Sequence, residues 1–221
     1  MTAKTLDVIC LGRAAVDLYA EQIGARLEDV SSMKKYLGGS SGNIAFGTAR
    51  MGLNSAMLTR VGDEHMGRFV REELARAGVD VSHVVTDPER LTGLVLLGIK
   101  DKDTFPLIFY RENCADMAIN EQDFDESYIA SAKALLITGT HFSTEGTDRA
   151  SRKAIEYARA NNAKVALDID YRPVLWGLTG KGEGENRYVS DQSVTQHLQT
   201  LLPLCDLVVG TEEEFHIAGG S

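Results

Sequence analysis

Two glycines and an asparagine stand where a turn runs into a predicted helix, in residues 37–47. Gly38 and Gly39 have no Cβ atoms, so backbone N–H groups beside them can approach a ligand closely. The start of the helix adds unpaired N–H donors and the positive end of the helix dipole. Asn43 both donates and accepts hydrogen bonds, which suits a ligand hydroxyl. The segment predicts either a ligand-binding loop or an ordinary turn before a helix.

Carboxylates and guanidinium groups follow several of the predicted strands. Asp17 comes shortly after the first strand, Arg111 follows two aromatic residues, and Asp170 and Arg172 follow a buried strand that ends near Asp168. Ligands of open α/β sheets bind outside the carboxyl ends of the strands, so these residues are candidates for binding. Two arginines could hold a carboxylate or a phosphate through bidentate bonds. Taken singly, each of these residues also fits a surface salt bridge or a solvated loop.

Three glutamates, ending with Glu214, follow Thr211 at the start of a helix that comes after a strand. Negative charge favours a helix N-terminus, and this explains most of the cluster. A surplus carboxylate could instead hold magnesium through water. Other catalytic motifs are absent from the sequence: there is no P-loop, no dinucleotide fingerprint, no Gly-x-Ser-x-Gly elbow and no histidine spacing typical of zinc.

The elements that must position these residues form an alternating pattern of strands and helices. Strands are predicted at 8–12, near 56–61, and at 134–138, 164–169 and 207–210, and helices at 42–51 and near 65–77, 146–161 and 193–202. Strands that are apolar throughout and are separated by amphipathic helices are typical of a parallel sheet covered on both faces. The predicted fold class is therefore α/β.

Two further segments interrupt this alternation. Residues 91–111 contain two β-rich runs joined by a polar connection, which predicts a hairpin. A hairpin outside the alternation is a candidate lid over a ligand, or a surface that pairs with another subunit. Residues 177–190 are polar and rich in glycine, which predicts an exposed loop.

Composition limits the class of protein. The chain has 221 residues and a formal net charge of −9, which argues against a nucleic-acid-binding surface. An acidic residue precedes any apolar run at the N-terminus, and no apolar stretch is long enough to cross a membrane. Cys10 and Cys205 lie in or beside apolar runs and are predicted to be buried thiols; three widely separated cysteines fit a reducing, cytoplasmic location.

Taken together, these motifs resemble those of the ribokinase-like (PfkB) carbohydrate kinases over essentially the whole chain. The Gly38-Gly39-x-x-x-Asn43-x-Ala45 loop is similar to the first signature of that family, and residues 61–67 are similar to the stretch that follows it. Thr211-x-x-Glu214 stands where the family usually has Asn-x-x-Glu, so threonine replaces asparagine.

The resemblance implies an open, mostly parallel sheet with a small β lid, ATP and Mg²⁺ as cofactors, and a homodimer paired through the lid. It implies that Asp17, Gly38, Gly39 and Asn43 hold sugar hydroxyls. It also implies that Glu214, together with Thr211 and Asp170, organises phosphate and magnesium, with Glu214 reaching the metal through water.

Within the family, Arg111 and Arg172 match arginines that bind the carboxylate of a keto-deoxy sugar acid. The resemblance therefore implies phosphorylation of a hydroxymethyl group, with 5-dehydro-2-deoxygluconate of myo-inositol catabolism as the expected substrate and its 6-phosphate as the product. The alternatives are 2-keto-3-deoxygluconate or a neutral sugar such as fructose or ribose.

The sequence departs from the family near its C-terminus. The Gly-Ala-Gly-Asp motif, whose aspartate is the family's catalytic base, does not occur in residues 1–221. We therefore expect no catalytic base in this chain; the base and the ATP-binding part are expected beyond Ser221, with residues 1–221 as the N-terminal part of a kinase domain. The alternative is a truncated, non-catalytic protein that binds a sugar acid.

Overall fold

The computed structural model describes residues 4–220, and its larger sheet has six strands that all run parallel. In sheet order these strands are β10, β9, β8, β1, β4 and β5. Their bounds are β1 Leu6–Leu11, β4 Ser55–Gly62, β5 Val84–Asp87, β8 Ala132–Thr138, β9 Lys164–Asp168 and β10 Leu207–Val209. The predicted α/β class with an open parallel sheet is confirmed.

Six α-helices accompany this sheet within residues 4–220. They are α1 Ser40–Arg50, α2 His65–Arg76, α3 Glu126–Ala130, α4 Glu145–Ala160, α5 Gln192–Gln199 and α6 Glu212–Gly219. Helix α1 begins two residues before the predicted start at residue 42, because Gly39 already serves as its N-cap. Strand β5 and helix α3 are short elements that the sequence pattern did not predict.

Side chains of the central strands alternate between two apolar layers. Ile9 of β1 packs in the layer that α4 and α5 cover, whereas Cys10 packs with Met57 and Leu74 in the layer that α1 and α2 cover. This alternation follows from the two-residue period of a strand. Leu74 is fully buried, and burial of such a side chain contributes about 1.5–3 kcal/mol. The two layers fix the strand ends from which the site is built.

A second, four-stranded sheet lies beside the first. Its strands are β2 Ala15–Ala20, β3 Met33–Gly38, β6 Leu94–Leu97 and β7 Leu107–Tyr110, in the order β3, β2, β6, β7. Strands β6 and β7 pair antiparallel, as predicted for the hairpin in residues 91–111. The rest of the sheet corrects the sequence analysis, which predicted no strand at residues 15–20 or 33–38; Asp17 lies within β2 and not in a loop.

Three remaining sequence predictions concern the surface and the thiols. Residues 177–190 form no helix or strand and are mostly exposed, although Gly184 is buried against Leu107. Cys10 is buried as predicted, whereas Cys205 is only partly buried; both are free thiols. Within residues 4–220, none of the helices has the length and apolar character that a membrane span requires.

Candidate functional site

A cavity of about 170 Å³ lies between the small sheet, the start of α1 and the segment after β9. Five of the residues predicted from the sequence line it: Asp17, Gly39, Asn43, Asp170 and Arg172. They come from three separate parts of the chain, and the fold brings them to one place at the carboxyl ends of β1 and β9. Ligands of open α/β sheets bind at this edge.

Gly39 permits a close contact between two stretches of backbone. Its φ is +85°, and a Cβ atom here would lie 2.4 Å from the carbonyl oxygen of Arg13. The same carbonyl accepts a hydrogen bond of 3.0 Å from the N–H of Gly42, in the first turn of α1. The glycine therefore holds the helix start against the end of β1. Gly38 does not line the cavity but lies under it, since a Cβ atom there would overlap the carboxylate of Asp17.

Asp17 and Asn43 offer hydrogen-bonding groups to a polar ligand. Asp17 is held in β2, opposite Val95 of β6, and its carboxylate is partly buried. Burial raises the pKa of Asp17, and the charge of Arg13 opposes this effect. Asn43 is exposed in the first turn of α1, where its side chain reaches the same cavity. A carboxylate beside an amide can bind neighbouring hydroxyl groups, because one accepts and the other both donates and accepts.

Arg172 forms an ion-pair network with two acidic residues. Its Nη2 lies 3.2 Å from Asp170 Oδ1, and its Nη1 lies 3.4 Å from Glu214 Oε1. The side chain of Arg172 is 21% exposed, so part of the guanidinium remains open to the cavity. Asp170 is buried and has a φ of +33°, which is unusual for a residue with a side chain. That conformation turns its carboxylate back toward the arginines.

Glu214 and Thr211 lie outside the cavity lining and are joined in a capping box at the start of α6. Thr211 Oγ1 accepts a hydrogen bond of 3.3 Å from the N–H of Glu214, and Glu214 Oε2 accepts one of 2.9 Å from the N–H of Thr211. Glu214 Oε1 accepts a further bond of 2.9 Å from the N–H of Tyr171. Both carboxylate oxygens are therefore engaged, which joins α6 to the segment after β9.

Asp168 adds a third carboxylate at this edge. Burial raises the pKa of Asp168 to about 6, and the nearby charges of Asp170 and Glu214 contribute to the increase. Excess negative charge of this kind suits a cation such as Mg²⁺, which prefers oxygen ligands. Residues 4–220 nevertheless contain no group of three or more acidic, histidine or cysteine side chains arranged to bind a metal directly.

Arg111 is placed differently from the other predicted residues. It is buried behind the cavity, where its Nη2 lies 2.5 Å from Asp116 Oδ2 and its Nε donates a 2.7 Å hydrogen bond to the same oxygen. His141 lies nearby; burial, together with the charge of Arg111, lowers the pKa of His141 to about 4. The structure does not bring Arg111 and Arg172 together in the wall of the cavity.

Some residues that line the cavity were not predicted as site residues, among them two arginines and an aromatic residue. Arg13 and Phe109 lie in its wall with the guanidinium over the aromatic ring, and Arg187 reaches it from the exposed loop. A signal for Arg13 is present in the sequence, because an arginine directly after a buried strand lies at the binding edge of the sheet. Arg187 carries no such signal, since its loop has no regular structure from which a position could be derived.

Comparison with known proteins identifies the family of this chain. Residues 5–220 match the model of the pfkB family carbohydrate kinases. The chain is 38% identical over 213 residues to a 5-dehydro-2-deoxygluconokinase of Geobacillus kaustophilus, covering 96% of this chain and 60% of that protein. It is 31% identical over 223 residues to a 5-dehydro-2-deoxygluconokinase of Bacillus subtilis, covering 99% of this chain and 65% of that protein. The chain thus spans about 60% of the length of these relatives.

Solved structures agree on the fold. A PfkB protein from Polaromonas sp. JS666 superposes with a TM-score of 0.86 at 30% identity, over 98% of this chain and 69% of that one. A sugar kinase from Pyrococcus horikoshii in complex with ATP superposes with a TM-score of 0.82 at 23% identity, over 96% of this chain and 66% of that one. With the matching family model and the shared fold, the chain belongs to the pfkB family of carbohydrate kinases.

Proposed function

We propose that this chain supplies the sugar-acid-binding part of an ATP-dependent kinase that phosphorylates 5-dehydro-2-deoxygluconate on its hydroxymethyl group. The observation that carries the proposal is the cavity that combines Asp17 and Asn43, suited to hydroxyl groups, with Arg172, suited to a carboxylate. The two named relatives support the choice of substrate, because both are 5-dehydro-2-deoxygluconokinases.

The reaction would transfer the γ-phosphoryl group of ATP to a substrate hydroxyl. The hydroxyl oxygen forms a bond to phosphorus while the bond to ADP breaks, and the hydroxyl proton passes to a base. Catalysis of this kind depends on positioning and on neutralising charge. The residues of the cavity would contribute by fixing the sugar acid so that its hydroxymethyl group faces the nucleotide. Closure of the lid, the hairpin in residues 91–111 that contains β6 and β7, would exclude water as a competing acceptor.

The base and the nucleotide-binding part are proposed to lie C-terminal to residues 1–221, which then form the N-terminal part of the kinase domain. The length of the relatives supports this, since the chain spans about 60% of it. The edge strand β10 offers further support: Leu207 is 57% exposed and Val209 is 50% exposed, an arrangement suited to an additional covering element.

Magnesium is proposed to enter with ATP and to be held through water by Glu214, with Thr211 and Asp170 completing the arrangement. When bound, it would neutralise charge on the phosphates. The surplus negative charge around Asp168 supports the proposal, because a cation would relieve it. These assignments require no direct bond between the metal and residues 4–220.

We also propose an oligomeric state, a cellular location and a metabolic pathway for the protein. We infer a homodimer paired through the lid; the exposed aromatic side chains of Tyr110 on the lid and of Tyr36 on the opposite edge strand of the same sheet support it. A cytoplasmic location and a place in myo-inositol catabolism follow from the proposed substrate and from the three free cysteines. Cross-linking between cysteines introduced at residues 36 and 110 would test the dimer, with failure to cross-link in solution counting against it.

A coupled assay of ADP release tests the proposed activity. The longest native reading frame that encodes this chain would be assayed with Mg-ATP and, separately, with 5-dehydro-2-deoxygluconate, 2-keto-3-deoxygluconate and fructose. We expect the highest kcat/KM for the first compound. Preference for 2-keto-3-deoxygluconate or fructose would retain the kinase but replace the substrate, and turnover of none of them would contradict the proposal.

A non-catalytic sugar-acid-binding protein is the second candidate. The observation that favours it is that the groups suited to the sugar acid lie together in one cavity of residues 4–220, which is all that binding requires. The codons that follow Ser221 in the native gene separate the two functions. A stop codon there would favour binding alone, whereas continuation into a Gly-Ala-Gly-Asp segment would favour the kinase.

A further inference from the structure

Arg13 is a buried guanidinium at the inner wall of the cavity. Its side chain is 7% exposed, although arginine is almost never fully buried unless it is paired. It lies two residues after the end of β1, and its carbonyl oxygen is fixed by the N–H of Gly42 and by the close approach of Gly39. The backbone of Arg13 is therefore held rigidly, and its side chain enters the cavity from a defined point.

The partners of Arg13 leave part of its hydrogen-bonding capacity unused. The nearest carboxylate is Asp170, whose Oδ2 lies 3.8 Å from Arg13 Nη2, beyond hydrogen-bond distance. The Nε atom is buried and has no hydrogen-bond partner among residues 4–220. Phe109 places its ring 5.3 Å from the guanidinium carbon, which orients the group but accepts no conventional hydrogen bond. Burying such a charge destabilises the folded protein unless another group supplies the missing hydrogen bonds.

The surrounding charges make an anion the group that would supply these hydrogen bonds. Burial lowers the pKa of Arg13, and the positive charges of Arg111 and Arg172 act in the same direction. Asp170 lies close enough to bond Arg172, which also has Glu214 as a partner, but it lies beyond hydrogen-bond distance of Arg13. Arg187 adds another cation to the cavity lining. A ligand carboxylate would supply the hydrogen bonds that Arg13 lacks, and a guanidinium fork binds it better than an ammonium does.

We infer that Arg13 binds the carboxylate of the sugar acid together with Arg172, and that Arg111 supports the wall through Asp116 without touching the ligand. This inference rests on the proposed function and deepens it, because it identifies the group that selects an acid over a neutral sugar. Arg13 is thereby a specificity-determining residue, with Phe109 holding the plane of its guanidinium.

The test compares an acid with a neutral ligand in the wild type, three site variants and a control variant. Calorimetric titration would measure the Kd of 5-dehydro-2-deoxygluconate and of fructose for the wild type, Arg13→Met, Arg13→Lys and Asp170→Asn, each in the longest native reading frame. Arg149→Met serves as the control, since Arg149 is 60% exposed and lies outside the cavity. Circular dichroism at the titration temperature would establish that each variant is folded.

We expect Arg13→Met to weaken binding of the acid by about 30-fold or more, as for loss of a buried charge partner, and to leave the Kd of fructose within about twofold. Arg13→Lys should restore only part of the affinity. Asp170→Asn should tighten binding of the acid, because it removes a competing carboxylate. The asparagine variant also keeps the inference testable if Arg13→Met fails to fold.

Three results would overturn the inference. Equal losses for acid and fructose in Arg13→Met would assign Arg13 a structural role and leave the proposed substrate intact. If Asp170→Asn weakens binding of the acid, the Arg13–Asp170 pair has only a structural role. A wild type that binds fructose but not the acid, or neither compound, would contradict the proposed function itself and the inference with it.

Discussion

A Gly39→Ala substitution is expected to destabilise the protein, because the backbone at this position has no room for a Cβ atom. Gly39 has φ +85° and ψ 136°, and residues other than glycine held in such sparsely populated regions cost about 1–3 kcal/mol. The added Cβ would lie 2.4 Å from the carbonyl oxygen of Arg13 and 2.9 Å from the Cα of Ala14. Both are backbone atoms, so neither can rotate away as the end of a side chain would.

The magnitude follows from these two costs. Backbone strain and the forced displacement of Arg13 and Ala14 together should lower the free energy of unfolding by about 3 kcal/mol. In a chain of this size, that loss lowers Tm by roughly 6–12 °C. Affinity for the sugar acid should fall as well, since the displaced segment carries the Arg13 side chain into the cavity.

Gly47→Ala is the matched control for this prediction. Gly47 lies in the same helix, α1, and a Cβ atom there would meet nothing within 4 Å. Alanine inside a helix is favoured over glycine by about 0.5–1 kcal/mol, so the control should melt at the wild-type temperature or a few degrees above it. Thermal unfolding followed by circular dichroism measures both variants. Equal Tm values for the wild type and Gly39→Ala would refute the reasoning.

Three more predictions concern buried charges and a helix cap. Thr211→Ala should lower the free energy of unfolding by about 1 kcal/mol in urea denaturation through loss of the α6 cap, whereas Thr211→Ser, which keeps the hydroxyl, should not. In the same measurement, Arg111→Met should lower the free energy of unfolding by about 3–5 kcal/mol, because it leaves Asp116 buried and unpaired. The double variant Arg111→Met/Asp116→Leu should recover most of this loss. A single variant as stable as the wild type would contradict the prediction. The pKa of Asp168 is about 6 in the folded state and 3.8 ordinarily, so the folded state binds the proton more tightly than the unfolded state does. Asp168 therefore lowers the free energy of unfolding as the pH rises from about 4 to about 6. Asp168→Asn should remove this contribution from the urea midpoint, and an unchanged pH profile would count against the assignment.

The strands and helices of the large sheet could be predicted because each is long and apolar enough to show its own period. Strand β1 is buried on both faces, so its apolar run is visible without knowledge of its neighbours. Strands β2 and β3 were missed because they are only partly buried and carry charges such as Asp17 and Lys35. Their structure depends on pairing with each other and, through β2, with β6, which is tertiary information.

The sequence pattern likewise locates some of the site residues and not others. Gly39, Asn43 and Arg172 lie beside strand or helix ends that the sequence pattern locates, so their convergence in the cavity could be anticipated. Arg111 also follows a strand, but its partner Asp116 lies in a short 3₁₀ turn with no distinctive pattern. The pairing draws the guanidinium behind the cavity wall, and no local feature of the sequence predicts that direction.

The cavity is proposed to bind a sugar acid with its carboxylate among the arginines. A crystal structure of the protein with 5-dehydro-2-deoxygluconate would show where that carboxylate lies. We predict the carboxylate within hydrogen-bond distance of Arg13 and Arg172, and ligand hydroxyl groups at Asp17 and Asn43. A ligand bound elsewhere, or one whose carboxylate points away from both arginines, would contradict the claim.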